Sequence, residues 1–173
     1  MLKGGRISSA ENSYRKFEAR APDEVNSRLY WANLLFENGD AMGAEDVLRN
    51  VLVADPNNVE ARVYLGKLLA KQGHIAEAED EYRCAVNYCP HNAKAHLHLA
   101  NFLSSQEDDT GAEREWREAM RLNPADKWPI ENLAYMLDRN GRRAEATALW
   151  RQAALLEKMP ELSEWIRRRV ETG

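Results

Sequence analysis

Four prolines punctuate this chain at a fixed interval. Pro22, Pro56, Pro90 and Pro124 stand 34 residues apart. Proline cannot continue a helix and restricts the residue before it. A fixed proline interval therefore predicts a fixed interval between helix ends. A chain built this way repeats one short unit, and a unit of that size cannot bury its own apolar face. The units have to stack on one another.

The interval between Pro56 and Pro90 shows what the unit contains. It carries Leu65-Gly66, Leu69, Gly73, Ala78, Tyr82, Ala85 and Pro90. This order of Leu-Gly, small, aromatic, small and Pro resembles the tetratricopeptide repeat, a helix–turn–helix unit of the same length. Arg62 stands where that pattern opens on a large aromatic. The resemblance implies an all-α fold, a right-handed α-solenoid of helix–turn–helix repeats whose first helices line a concave groove.

The columns recur along the chain. Leu35, Leu69, Leu103 and Leu137 are predicted to fill the contact between the two helices of each repeat. Ala32, Gly66, Ala100 and Ala134, like Ala44, Ala78, Ala112 and Ala146, are small, which lets helix axes approach closely. Leu48, Tyr82, Trp116 and Trp150 are bulky and are expected to wedge against the following repeat. Asn58, Asn92 and Asp126 precede the first helices as N-caps. Gly39, Gly73 and Gly141 mark turns, while Glu107 replaces the turn glycine of the third repeat, which predicts a looser turn there.

Taken in order, residues 1–24 read as the second helix of a truncated repeat. Lys3, Gly5, Ile7, Ala10, Glu11, Tyr14 and Arg15 match Lys71, Gly73, Ile75, Ala78, Glu79, Tyr82 and Arg83 without gaps. The expectation is a fragment of a longer repeat protein. Residues 25–160 hold four complete repeats. In the fourth, Lys158 takes the place of the proline, which predicts a longer last helix. Residues 161–173 read as a capping helix, with Leu162, Trp165, Ile166 and Val170 on one face and charge on the other.

Composition narrows the function classes. A formal charge of −4 argues against a general nucleic-acid binder. No apolar run approaches a membrane span, and the N-terminus lacks the apolar segment of a secretory signal, so a cytoplasmic location is expected. No phosphate loop or nucleophile elbow appears, and neither catalysis nor a cofactor is expected. His91, His96 and His98 lie near Cys84 and Cys89, but the spacing does not suit zinc, so no metal site is assigned. They read instead as a turn, a core position and a groove position.

The residues left for function are those on the inner face of the first helices that packing does not use. One column is Tyr30, Tyr64, His98 and Asn132; one turn later stand Asn33, Lys67, Asn101 and Tyr135; Lys94 and Trp128 belong to the helix start. Asparagine offers a donor and an acceptor, which suits a peptide backbone, and Tyr and Trp supply rigid contact area. The carboxylate clamp of some family members is mostly missing, since Leu29, Tyr64 and His98 replace its lysine, asparagine and arginine. The sequence therefore points to a protein-interaction scaffold that takes a peptide or a partner segment in the groove. Two other readings stay open: a module that stacks end to end, and a regulatory domain of a larger enzyme. Tyr14 and Phe17, on a helix lacking its own first helix, mark the N-terminal end for self-association into a homo-oligomer.

Overall fold

The computed structural model describes residues 25–157, which form helices and connecting turns with no strand among them. The sequence assignments at Tyr14, Phe17 and 161–173 lie outside the described residues. The eight helices described are α1 (Val25–Glu37), α2 (Ala41–Ala54), α3 (Val59–Gln72), α4 (Ile75–Tyr88), α5 (Ala93–Ser105), α6 (Asp109–Leu122), α7 (Lys127–Arg139) and α8 (Arg143–Glu157). The chain divides into two compact units, Met1–Tyr88 and Cys89–Gly173. The described part of the first holds α1–α4, and that of the second holds α5–α8. Each is therefore a pair of helix–turn–helix repeats, with the helices of a repeat packed on each other and the second helix of one repeat packed on the first helix of the next.

The helix ends follow local chemistry. Asn58 Oδ1 accepts the amide of Ala61 at 2.9 Å, Asn92 Oδ1 accepts those of Lys94 and Ala95 at 3.0 and 3.2 Å, and Asp126 Oδ1 accepts that of Trp128 at 3.0 Å. The three expected caps of the first helices are in place. Two second helices are capped as well, by Asp40 on Gly43 and Asp108 on Gly111. At the turn inside each repeat, Gly39, Gly73 and Gly141 take φ of 88°, 86° and 78°.

The third repeat departs from expectation here. Glu107 adopts the same left-handed backbone, with φ 64°. The closing bond from Asp108 N to Leu103 O is 3.0 Å, against 2.9 Å for His74 N to Leu69 O. The turn is not looser. The packing of α5 on α6 fixes the backbone there, and a side chain that disfavours the conformation is carried along with it.

The small and large columns build the core. Leu35, Leu69, Leu103 and Leu137 are buried, and so are Ala32, Ala100, Ala134 and the alanines at 44, 78, 112 and 146. The bulky column also packs within its own repeat. Tyr82 lies across Gly66 of its own repeat, so that a Cβ on Gly66 would sit 3.0 Å from the ring. Trp116 likewise reaches Asn101 of its own repeat. The small residue on the first helix leaves space that the large residue on the second helix of the same repeat fills.

Candidate functional site

In each unit a hollow lies where the two first helices run side by side. In the first unit, Asn33 and Phe36 of α1, Tyr64, Lys67 and Leu68 of α3, and Leu48 of α2 surround about 210 Å³. In the second, Asn101 and Ser104 of α5, Asn132, Tyr135, Met136 and Arg139 of α7, and Trp116 of α6 surround about 360 Å³. The two hollows are built from the same repeat positions, since Asn33, Tyr64 and Lys67 correspond to Asn101, Asn132 and Tyr135.

Their chemistry differs. In the first hollow the Lys67 ammonium lies 5.6 Å from the Tyr64 ring centre, and Lys71 lies 4.4 Å from that of Phe36. Both are cation–π contacts. The second hollow is organised by amides. Asn101 Oδ1 accepts from Trp116 Nε1 at 2.9 Å and from Asn132 Nδ2 at 2.8 Å. An indole nitrogen can only donate, so it fixes which end of Asn101 faces inward, and Asn101 in turn fixes Asn132. Asn101 Nδ2 and Asn132 Oδ1 are left without a partner among the described residues. The hollow thus presents one donor and one acceptor, held in place by the core, beside the Tyr135 ring, which is 63% exposed.

Of the inner-face residues expected from sequence, the structure gathers Asn33, Tyr64 and Lys67 in one unit and Asn101, Asn132 and Tyr135 in the other. Tyr30 is exposed on α1 and does not line the hollow. Lys94 and Trp128 are exposed and His98 half-buried, and none of them lines the second hollow. Phe36, Trp116 and Arg139 were not anticipated. The repeat pattern marks Trp116 as a packing wedge, and its indole nitrogen also donates to Asn101, 15 residues earlier on the facing helix.

Buried polar pairs lie outside the hollows. Arg62, in the aromatic column, is buried and bridges to Glu81 at 2.7 Å, donates from Nε to Pro56 O at 2.9 Å, and lies 4.7 Å over the Tyr88 ring. His96 occupies the same column one repeat later and bonds Glu115 at 2.7 Å and Pro90 O at 3.0 Å. His96 is the core position expected. His91 is exposed, and no group of three potential ligands converges among the described residues. No helix among the described residues is long and apolar enough to cross a membrane.

Residues 29–86 match the tetratricopeptide repeat family. That stretch is built from tetratricopeptide repeats. Solved structures extend the likeness over most of the chain. MamA from Desulfovibrio magneticus RS-1, from residue 41 to its end, is 23% identical with a TM-score of 0.67, covering 88% of each chain. PilF of Pseudomonas aeruginosa is 21% identical with a TM-score of 0.72, covering 85% of this chain and 68% of its own. YrrB, described as a tetratricopeptide protein with an unusual peptide-binding site, is 19% identical with a TM-score of 0.61, covering 83% of this chain and 74% of its own. At these identities the likeness concerns the fold, an all-α tetratricopeptide array. No curated protein matches the sequence.

Proposed function

We propose that this tetratricopeptide chain is a protein-interaction scaffold whose first-helix faces bind an extended peptide segment. The observation that carries the reading is the amide pair of the second unit. Trp116 locks Asn101 and, through it, Asn132, so a donor and an acceptor stand ready before any ligand arrives. A peptide group needs one of each, and groups already oriented lose little freedom on binding. Tyr135 beside them and Tyr64 in the first hollow supply flat apolar area for side chains. The peptide-binding description of YrrB is consistent with this use of the fold.

The test is selection of peptides from a random display library on the full chain. Titration calorimetry of a selected peptide then follows, with wild type and with Asn101→Ala and Asn132→Ala. Each substitution is expected to weaken binding by about tenfold or more, the effect of losing a hydrogen bond worth about 1.5 kcal/mol. Selected peptides that bind both variants as they bind wild type would show that the hollow of the second unit is not the site.

A further inference from the structure

Resting on the peptide-binding reading of the first-helix faces, we propose that the first hollow selects acidic segments, with Lys67 and Lys71 holding an aspartate or glutamate side chain of the bound peptide. Lys67 lines the hollow, and Lys71 follows one turn later on the same face of α3. The Lys67 ammonium lies 5.6 Å from the ring centre of Tyr64, and that of Lys71 lies 4.4 Å from the ring centre of Phe36. Both rings line the hollow. Both lysines are exposed, and neither pairs with a carboxylate among the described residues. An ammonium carries three donors, so a contact with one ring face leaves donors for a carboxylate.

The second unit shows the same positions with the charge already satisfied. Lys71 corresponds to Arg139, which lines the second hollow and is bound by Asp109 at 2.6 Å. The position of Asp109 is Ala41 in the first unit, which has no carboxyl to offer. Lys67 corresponds to Tyr135, and Phe36 to Ser104. The first hollow therefore has one cation more, a ring against each, and lacks the acid that occupies Arg139. Lys67 and Lys71 also stand outside the positions of the carboxylate clamp.

The acids facing the first hollow do not fill this role. Glu37 of α1 lines it, but is exposed and bonded to neither lysine. On α2, Asp40 accepts the amide of Gly43 and Glu45 binds Arg49 at 2.7 Å. Two ammoniums thus stand against one carboxylate, and a second carboxylate supplied by the ligand balances them. The selectivity runs against the charge of the chain as a whole. At a formal charge of −4, unspecific attraction favours basic peptides. Enrichment of acidic ones reports a local site.

Peptides selected from a random display library on the full chain are titrated calorimetrically against wild type and Tyr64→Ala. Those weakened by Tyr64→Ala are the first-hollow binders, and each should carry an aspartate or glutamate. Replacing that acid by its amide should weaken binding to wild type by about fivefold, the upper range for an exposed ion pair. Lys67→Gln with Lys71→Gln should weaken the acidic peptide about equally. On that variant the acidic peptide and its amide should bind alike, because the interaction is already gone. First-hollow binders without an acid, or an amide replacement as costly on the variant as on wild type, overturn the proposal and leave the peptide-binding reading standing. So does a set of peptides sensitive to Asn101→Ala and Asn132→Ala but not to Tyr64→Ala. Peptides that ignore all three substitutions overturn both.

Discussion

Tyr64 sits at the edge of the first hollow, half-buried, with the Lys67 ammonium over its ring. Its side chain is wide enough to contact a bound segment and is not needed to close the core. Tyr64→Ala is expected to weaken a bound peptide by about 1–2 kcal/mol while leaving the circular dichroism spectrum unchanged. Full affinity in that variant would remove the first hollow from the binding surface. Glu107 is a different case, because its cost lies in the backbone. It holds φ 64° without the freedom of a glycine. Glu107→Gly should stabilise the chain by about 1 kcal/mol, the relieved left-handed strain less the added freedom of the unfolded chain. A lower melting temperature in that variant would mean that the Glu107 side chain has a structural role. Tyr82 is sealed against Gly66, and burial pushes its phenol up to about 12 from an ordinary value of 10.0. Its contribution to stability is complete below pH 10 and is lost as pH climbs toward 12. An absorbance titration should show one tyrosine that ionises only as the chain unfolds.

At the scale of the helix pair, much was legible in the sequence, and the reason is locality. A cap, a turn glycine and a terminating proline each act within a few residues, so Asn58, Asn92, Asp126, Gly39, Gly73 and Gly141 could be placed without knowing what the helices touch. What stayed hidden depends on which side chain faces which across two helices. Glu81 and Glu115 are two carboxylates among many on helix faces, yet each binds a buried side chain 19 residues earlier, Arg62 and His96. The repeats held the signal. Arg62 and His96 come with glutamate at the later position and Ile130 comes with Leu149, although Arg28 of the first repeat comes with Val47. At Glu107 packing likewise overrides a local preference, and the turn closes without a glycine. The small column was judged correctly, and it makes a firm prediction. Ala100 is fully buried on α5. Ala100→Trp should destabilise by about 1–3 kcal/mol through overpacking, and an unchanged thermal melt would mean that α5 has room on that face.

Over the whole molecule, stability in a repeat array is close to a sum of repeat terms and neighbour terms, so the joint inside each unit matters by itself. In the second unit the joint between repeats is ionic. Asp109 of α6 takes Arg139 at 2.6 Å and Asn140 at 2.7 Å, and Glu113 takes Arg142 at 2.6 Å. Hydrogen bonds from Asn140 and from Arg142, respectively, are the main causes that hold these two carboxyls below their ordinary values of 3.8 and 4.5. The matching positions of the first unit are Ala41, which has no carboxyl, and Glu45, which binds Arg49 of its own helix at 2.7 Å. A carboxyl that is more acidic in the folded state contributes its stability above the unfolded value and loses it as pH falls through the folded one. Acid should therefore weaken the joint of the second unit while that of the first is little changed. The partner of Glu81 is an arginine and that of Glu115 a histidine, so these two pairs need not respond alike to acid, and the double variant below isolates the joint. Urea unfolding followed by backbone amide resonances at pH 7 and pH 3 reads each helix separately. The midpoints of α6, α7 and α8 should drop further than those of α1 to α4. Equal drops, or a larger one in the first unit, would show that the ion pairs of Asp109 and Glu113 do not hold the second joint. Asp109→Asn with Glu113→Gln should reproduce the acid effect at pH 7, separating these two carboxyls from the rest.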